Sequence, residues 1–272
     1  MLSLCMIVRD EEAVLERCLA SVAGVADEII VVDTGSTDAT VAIARARGAV
    51  VLHHTFDPVD FAAARNAGLG RATGDFILVL DADETLDPAA GPIVRQLVAA
   101  GTNAGYVVDR RNLAEDRTWF DHAVRLFPAR PEYRYRHRVH ETIDEAILAA
   151  GGRLLRSEIV LDHHLAPAAE MRAKGLRYLA LLEQEVADDP DRLVFLAAEY
   201  HKLERFAEAT AVAERVAVLS PQDFTAQFTV ALYHHFFLRD PGRAEDGVRK
   251  ALRLRPADPE ALALLAEIDA AR

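Results

Sequence analysis

The segment Asp75-Phe-Ile-Leu-Val-Leu-Asp-Ala-Asp-Glu84 constrains this chain more than any other. Its apolar run, Phe76–Leu80, is too short for a helix and stops abruptly at charge. Such a run reads as a strand buried on both faces of a parallel sheet. In open α/β sheets, ligands gather at the carboxyl ends of the strands. Asp81 and Asp83 stand at that end, one residue apart. Carboxylates withdrawn from water need a cationic neighbour. A hard divalent ion shared with the oxygens of a diphosphate would supply one. An acidic, helix-capping turn would need none.

The residues up to about 165 repeat the same alternation. Leu2–Val8, Glu28–Asp33 and Ala49–His53 read as further strands. Helical patterns cover Glu11–Ala23, Ala39–Arg47 (capped by Ser36 or Asp38), Asp60–Gly70 and Ala90–Ala100 (opened by Pro88 or Pro92). The βαβα order predicts a doubly wound, mostly parallel sheet. Between Gly105 and His164 the pattern changes to short strand-like pieces, Tyr106–Val108, Ala123–Phe127 and Ile159–Leu161, with one helix over Thr142–Ala150. Eight arginines fall between Arg110 and Arg138, either as a solvated face or as phosphate-binding groups.

After Leu165-Ala-Pro167 the pattern is helical throughout. Pro190, Pro221 and Pro256 recur near the tetratricopeptide period of about 34 residues. Leu196–Ala209 resembles the helix–turn–helix of such a repeat, and Val216–Pro221 and Ala251–Pro256 resemble its end. One helical pair cannot bury its apolar face alone, so a stack is expected over Met171–Arg272. The division expected is an α/β domain over 1–165 and an all-α domain over 166–272.

Composition narrows the function. A formal charge of −12 argues against nucleic-acid binding. The three lysines, Lys174, Lys202 and Lys250, all lie in the helical part, which excludes a catalytic lysine in the sheet domain. Cys5 and Cys18 are too few for a disulfide framework and read as core thiols in a reducing, cytoplasmic setting. Met1–Val8 reads as a strand rather than a secretory signal. No Gly-x-Gly-x-x-Gly and no Walker loop follows the first strand, and no Cys or His pairs stand at zinc spacing. The acidic turn Arg9–Glu12 does not suit a sugar nucleotidyltransferase, which shares the general architecture.

Four motifs in order, Leu4-Cys-Met-Ile-Val-Arg-Asp-Glu-Glu12, Val31-Val-Asp-Thr-Gly-Ser-Thr-Asp-Ala-Thr40, Ala64-Arg-Asn-Ala-Gly-Leu69 and Leu80-Asp-Ala-Asp-Glu84, resemble family 2 glycosyltransferases of GT-A fold. The similarity is greatest to the bacterial subgroup with a tetratricopeptide-like helical tail. The resemblance implies a hexosyl transfer from a nucleotide sugar, UDP-linked in preference to GDP-linked, with inversion and with Mg²⁺ or Mn²⁺. It implies that Asp33 bonds the donor base and that Arg9 and Glu11 lie against the nucleoside. Arg65 touches the diphosphate, Asp81 contacts ribose or metal-bound water, and Asp83 ligates the metal. Arg138-Val-His-Glu141 resembles the segment that presents the general base, which makes Glu141 the base, with Asp121 and Asp144 as substitutes. Within Leu161-Asp-His-His-Leu165, His163 is the first choice for the metal and His164 the second. His53-His54 and His234-His235 read as packing or surface residues.

The acceptor is left open among saccharide, lipid-linked and peptide hydroxyls. The tail is the expected contact for a homodimer or a protein partner, and the location is cytoplasmic, with peripheral contact to the inner face of the membrane left open. A rival reading is a catalytically silent scaffold of the same fold, against which the acidic pair with Arg65 and Glu141 argues.

Overall fold

The computed structural model describes residues 1–56, 59–185 and 189–270. The chain divides into two compact units, Met1–Ala166 and Pro167–Arg272.

The first unit carries an eight-stranded sheet in the order β3-β2-β1-β4-β7-β6-β8-β5. The strands β1 (Leu2–Val8), β2 (Glu28–Asp33), β3 (Val50–His53) and β4 (Phe76–Val79) are mutually parallel. Between them run α1 (Leu15–Ser21), α2 (Thr40–Ala46) and α3 (Phe61–Arg71). Side chains alternate across a strand, and the core follows that alternation. Leu2, Leu4, Met6 and Val8 join Phe76, Leu78 and Leu80 on the face covered by α1 and α4 (Ala90–Ala100). Cys5, Ile30, Ile77 and Val79 pack on the other face, with α3 and α5 (Asp144–Ala149). Both cysteines are buried and free, and burial pushes both thiols up, Cys5 to about 12.

The helix expected from Glu11 begins only at Leu15, because Asp10–Glu12 turn instead to bind the β2–α2 loop. Asp10 Oδ1 accepts from the Thr37 backbone at 2.7 Å, and Glu12 Oε2 from that of Ala39 at 2.9 Å. The second half departs most from the expected pattern. The three short pieces are long strands, β6 (Ala104–Leu113), β7 (Thr118–Pro128) and β8 (Arg153–His164). Their polar residues pair across the sheet. Arg110 stands opposite Asp121, and Arg111 opposite Asp162. The acidic segment also continues as a strand, β5 (Glu84–Leu86), paired with β8. Five peptide units from Val79 to Glu84 reach at most ~18 Å, whereas four inter-strand spacings across a flat sheet come to ~19 Å. The sheet therefore curls, and Asp81–Asp83 span the gap from β4 to the edge strand β5.

The second unit consists of α6 (Ala168–Glu185), α7 (Pro190–Lys202), α8 (Phe206–Leu219), α9 (Phe224–Tyr233), α10 (Pro241–Leu254) and α11 (Pro259–Ala270). The prolines singled out in the sequence are not equivalent: Pro190 opens a helix, while Pro221 and Pro256 lie in turns. The equivalent positions are the N-cap aspartates. Asp189, Asp223 and Asp258 each accept from a backbone N–H at a helix start, and they carry the period of about 34 residues. Small residues let α9 and α10 approach closely: a Cβ on Gly247 would lie 3.0 Å from the Ala231 nitrogen. A π-helical turn, His234–Leu238, ends α9, with His234 buried against Glu214 and His235 facing Glu267. The last two residues of the expected stack, Ala271 and Arg272, lie outside the described residues.

Candidate active site

The carboxyl ends of β1, β2 and β4 converge on one edge of the first unit. Asp81 follows the buried Leu80 and is held by two arginines. Its Oδ1 accepts from Arg65 Nη2 at 2.8 Å and its Oδ2 from Arg125 Nη2 at 2.7 Å. Arg125 Nη2 also donates to Glu84 Oε1 at 2.8 Å, and Glu84 Oε2 accepts the Asp81 backbone N–H at 2.9 Å. Arg65 Nε donates to Glu141 Oε1 at 2.6 Å. A continuous chain, Glu84–Arg125–Asp81–Arg65–Glu141, thus links β5, β7, the β4–β5 turn, α3 and the loop before α5.

Burial opposes ionisation of Asp81, yet Arg125 and Arg65 hold its carboxyl well below the usual carboxylate range. Glu84 is 0 % exposed; burial raises its carboxyl and Arg125 counters that rise. Arg65 Nη1 and Arg125 Nε are buried and have no hydrogen-bond partner among the described residues. A buried donor left unmade costs about 1–3 kcal/mol, so these nitrogens suit an anion.

The loop that carries Glu141 is tightly set. Arg136 and Thr142 exchange backbone hydrogen bonds at 2.9 and 3.2 Å, closing it. His137 and His140 take the left-handed region, at φ 71° and 51°. Non-glycine residues adopt that region at a cost and tend to do so at functional sites. Arg138 ties the loop to the start of α3: Nε donates to the Val59 carbonyl at 2.8 Å, and the Arg138 carbonyl accepts from Phe61 N–H at 2.9 Å.

Asp83 lies beside β8. Its carbonyl accepts from His164 N–H at 2.9 Å, and its Oδ2 stands 3.3 Å from His163 Nε2. His163 Nδ1 is 2.7 Å from Asn112 Oδ1. Strand alternation sends His164 to the opposite face, where Nε2 meets Thr85 Oγ1 at 3.1 Å. Burial, then Arg17, lowers the His164 pKa. Asp121 is gripped by Arg110 Nε and Nη2 at 2.7 and 2.8 Å; despite burial, that fork holds its carboxyl below the usual range. Asp144 begins α5, where burial raises its carboxyl.

Asp33 ends β2 almost wholly buried. Its Oδ1 accepts from Ser36 N–H at 3.0 Å, and its Oδ2 lies 3.1 Å from His53 Nδ1. Burial raises the Asp33 carboxyl, and the bonds from Ser36 and His53 more than offset it, leaving it low. Glu11 N–H donates to Thr40 Oγ1 at 2.7 Å. Arg9 is 62 % exposed and pairs with Asp10 at 3.8 Å. The structure therefore brings together Arg65, Asp81 and Glu141, and separately Asp83 and His163.

In the sequence Arg125 stands only as one of eight arginines and Glu84 only as the end of the acidic motif, and nothing there marks Asn112. The β6–β7 register shifts at Arg125, between the pairs Tyr106–Leu126 and Val107–Val124, so strict alternation does not mark that residue.

A family model described as glycosyl transferase family 2 matches residues 3–163, and the chain belongs to that family. A TPR repeat-containing protein of Synechococcus elongatus is 46 % identical over 147 residues, which are 54 % of this chain and 36 % of that protein. The lipopolysaccharide core biosynthesis glycosyltransferase LpsC of Rhizobium meliloti is 32 % identical over 114 residues, 40 % of this chain and 42 % of its own length. The matched region thus spans well under two thirds of either relative. S. aureus TarS 1–349, solved with UDP, has a TM-score of 0.51 at 13 % identity, covering 95 % of this chain and 92 % of that one. That likeness is one of fold: a GT-A sheet domain followed here by a tetratricopeptide-like helical unit. Among the described residues no helix is long and apolar enough to cross a membrane.

Proposed function

We propose that the protein is a metal-dependent, inverting glycosyltransferase that moves a sugar from a UDP-linked donor to an acceptor hydroxyl. One observation carries the reading. In the turn that follows β4, Asp83 Oδ2 and His163 Nε2 face each other at 3.3 Å.

Asp83 and His163 fit Mg²⁺ or Mn²⁺. The described residues hold no group of three or more His, Cys, Asp or Glu able to hold an ion alone. Hard ions of this kind take one or two carboxylates and complete their shell with phosphate oxygens and water. When bound, the metal supplies positive charge where the departing diphosphate gathers negative charge.

The chain's own groups do the rest. Asp33 is placed to accept from the uracil ring N–H, because each carboxylate oxygen keeps a further lone pair. Arg9 and Glu11 stand on the adjacent loop to flank the nucleoside. Asp81 is assigned to the ribose and Arg65, whose Nη1 is buried without a hydrogen-bond partner among the described residues, to the diphosphate. Arg65 also positions Glu141 through Oε1. Glu141 takes the acceptor hydroxyl proton as that oxygen attacks the anomeric carbon. The bond from the anomeric carbon to the diphosphate oxygen breaks, and UDP leaves. A single displacement inverts the anomeric centre. The name of the LpsC relative supports a saccharide acceptor.

The test measures donor turnover over a panel of nucleotide sugars, with and without Mn²⁺. Asp83→Ala is expected to abolish metal-stimulated turnover with the fold retained. Glu141→Gln is expected to lower kcat by 10²–10⁴-fold, on the order of a lost general base, while UDP binding persists. Wild-type turnover in Asp83→Ala would remove the metal assignment. Equal loss of UDP affinity in Glu141→Gln would make that residue structural rather than basic.

A further inference from the structure

We infer that Asn112 is a positioning residue that fixes the His163 tautomer and so presents a bare Nε2 lone pair to the metal beside Asp83. The inference deepens the proposed function and rests on its reading of Asp83 and His163.

Asn112 is 2 % exposed, on β6 between the two strands that matter. In the sheet it lies directly opposite His163 on β8 and opposite Trp119 on β7. Its amide orientation is dictated from behind. Arg110 grips Asp121 with two nitrogens, so Asp121 is a carboxylate with acceptors only. The Asn112 group 3.1 Å from Asp121 Oδ2 must therefore be the donor, Nδ2. The same group lies 3.4 Å from the Arg110 carbonyl, again an acceptor. That leaves Oδ1 facing His163 Nδ1 at 2.7 Å. An oxygen at that distance requires Nδ1 to carry the hydrogen.

In a neutral imidazole with Nδ1 protonated, Nε2 is an acceptor. Here Nε2 points at Asp83 Oδ2, 3.3 Å away, which is an acceptor as well. Two acceptors face to face repel unless a proton or a metal cation lies between them. A ligating histidine commonly donates its other ring N–H to a fixed partner, which sets its tautomer and orientation. Asn112 occupies that place, and Asp121 and Arg110 lock it.

The experiment uses the full-length protein with Mn²⁺ and UDP as probes. Histidine ring tautomers are read by long-range ¹H–¹⁵N correlation, and Mn²⁺ affinity by electron paramagnetic resonance titration. Wild type is expected to show His163 protonated at Nδ1 before any metal is added. Asn112→Leu is expected to lose that signature and to bind Mn²⁺ about 10- to 100-fold more weakly in the presence of UDP. Its UDP affinity without metal should match wild type. A neutral wild-type His163 that carries its hydrogen on Nε2 and none on Nδ1 overturns the inference without any variant, as does wild-type Mn²⁺ affinity in Asn112→Leu. If the leucine variant does not fold, Asn112→Ala takes the same test. Asp83→Ala and His163→Ala separate the two levels. If both still bind Mn²⁺ as wild type does, the metal reading fails and takes the inference with it. If both lose Mn²⁺ while Asn112→Leu keeps it, the role of Asn112 alone fails.

Discussion

The two halves of one sheet are held by different forces. Through β1, β2 and β4 the strands are apolar on both faces, and burial of residues such as Leu4, Ile30 and Leu78 fixes their place. Along β6, β7 and β8 run guanidinium–carboxylate pairs: the buried Arg125 with Asp81 and Glu84, and the part-exposed Arg110 with Asp121 and Arg111 with Asp162. The first half supplies a frame whose strand ends fall on one edge. The second half brings charge to that edge. Hydrophobic burial is non-directional and tolerates a repacked neighbour. Buried ion pairs are directional and tolerate no missing partner. A site that must hold carboxylates at fixed distances is therefore built on the charged half and supported by the apolar one.

The sharpest way to break this contrast is Arg125→Ala. It strands Asp81 and the fully buried Glu84 without their shared cation. Removing one partner of a buried pair costs about 3–5 kcal/mol, which urea unfolding would measure. A loss below about 1 kcal/mol, the range of exposed pairs, would place the weight of this half elsewhere. In the apolar half, Leu78→Ala should cost about 2–5 kcal/mol through transfer and cavity terms. Unlike Arg125→Ala, it should be partly rescued by repacking with a methionine at the same position. Smaller effects should come from local contacts. Asp60 Oδ1 accepts the Ala63 N–H at 2.8 Å and caps α3, so Asp60→Ala should cost about 1 kcal/mol.

The smallest effect is an exposed ion pair in the apolar half. Asp27 takes two bonds from Arg95 and one from the Leu2 backbone. Chiefly through the Arg95 bond, its carboxyl falls from 3.8 to about 2. A carboxyl lowered on folding stabilises above its unfolded value, so this contribution is full above 3.8 and lost as pH drops towards 2. Asp27→Asn should therefore lower stability at neutral pH by less than about 1 kcal/mol and flatten the acid limb between those values. An unchanged acid limb would show that Asp27 contributes nothing in solution.

The contrast also explains what could be read without a fold. Phe76–Leu80 and Leu2–Val8 were legible because an unbroken apolar run has one economical fate, a strand covered on both sides. The tetratricopeptide-like tail was legible because each repeat is local, though its phase lies in the N-cap aspartates rather than in the prolines first noticed. β6, β7 and β8 were seen only as fragments. A row such as Asp109-Arg-Arg-Asn112 looks like surface until the opposing strand supplies its counter-charges.

By itself, the sequence determined the alternation of strands and helices, the edge on which Asp33, Asp81 and Asp83 stand, and the helical nature of the tail. These follow from local periodicity and from the rule that strand ends collect ligands. Only the tertiary structure decided which arginines meet which carboxylates, that His163 rather than His164 turns to Asp83, and that Asn112 stands behind it. Those contacts join residues 11 to 80 positions apart. Their geometry depends on register and sheet curl, which no local pattern in the chain encodes.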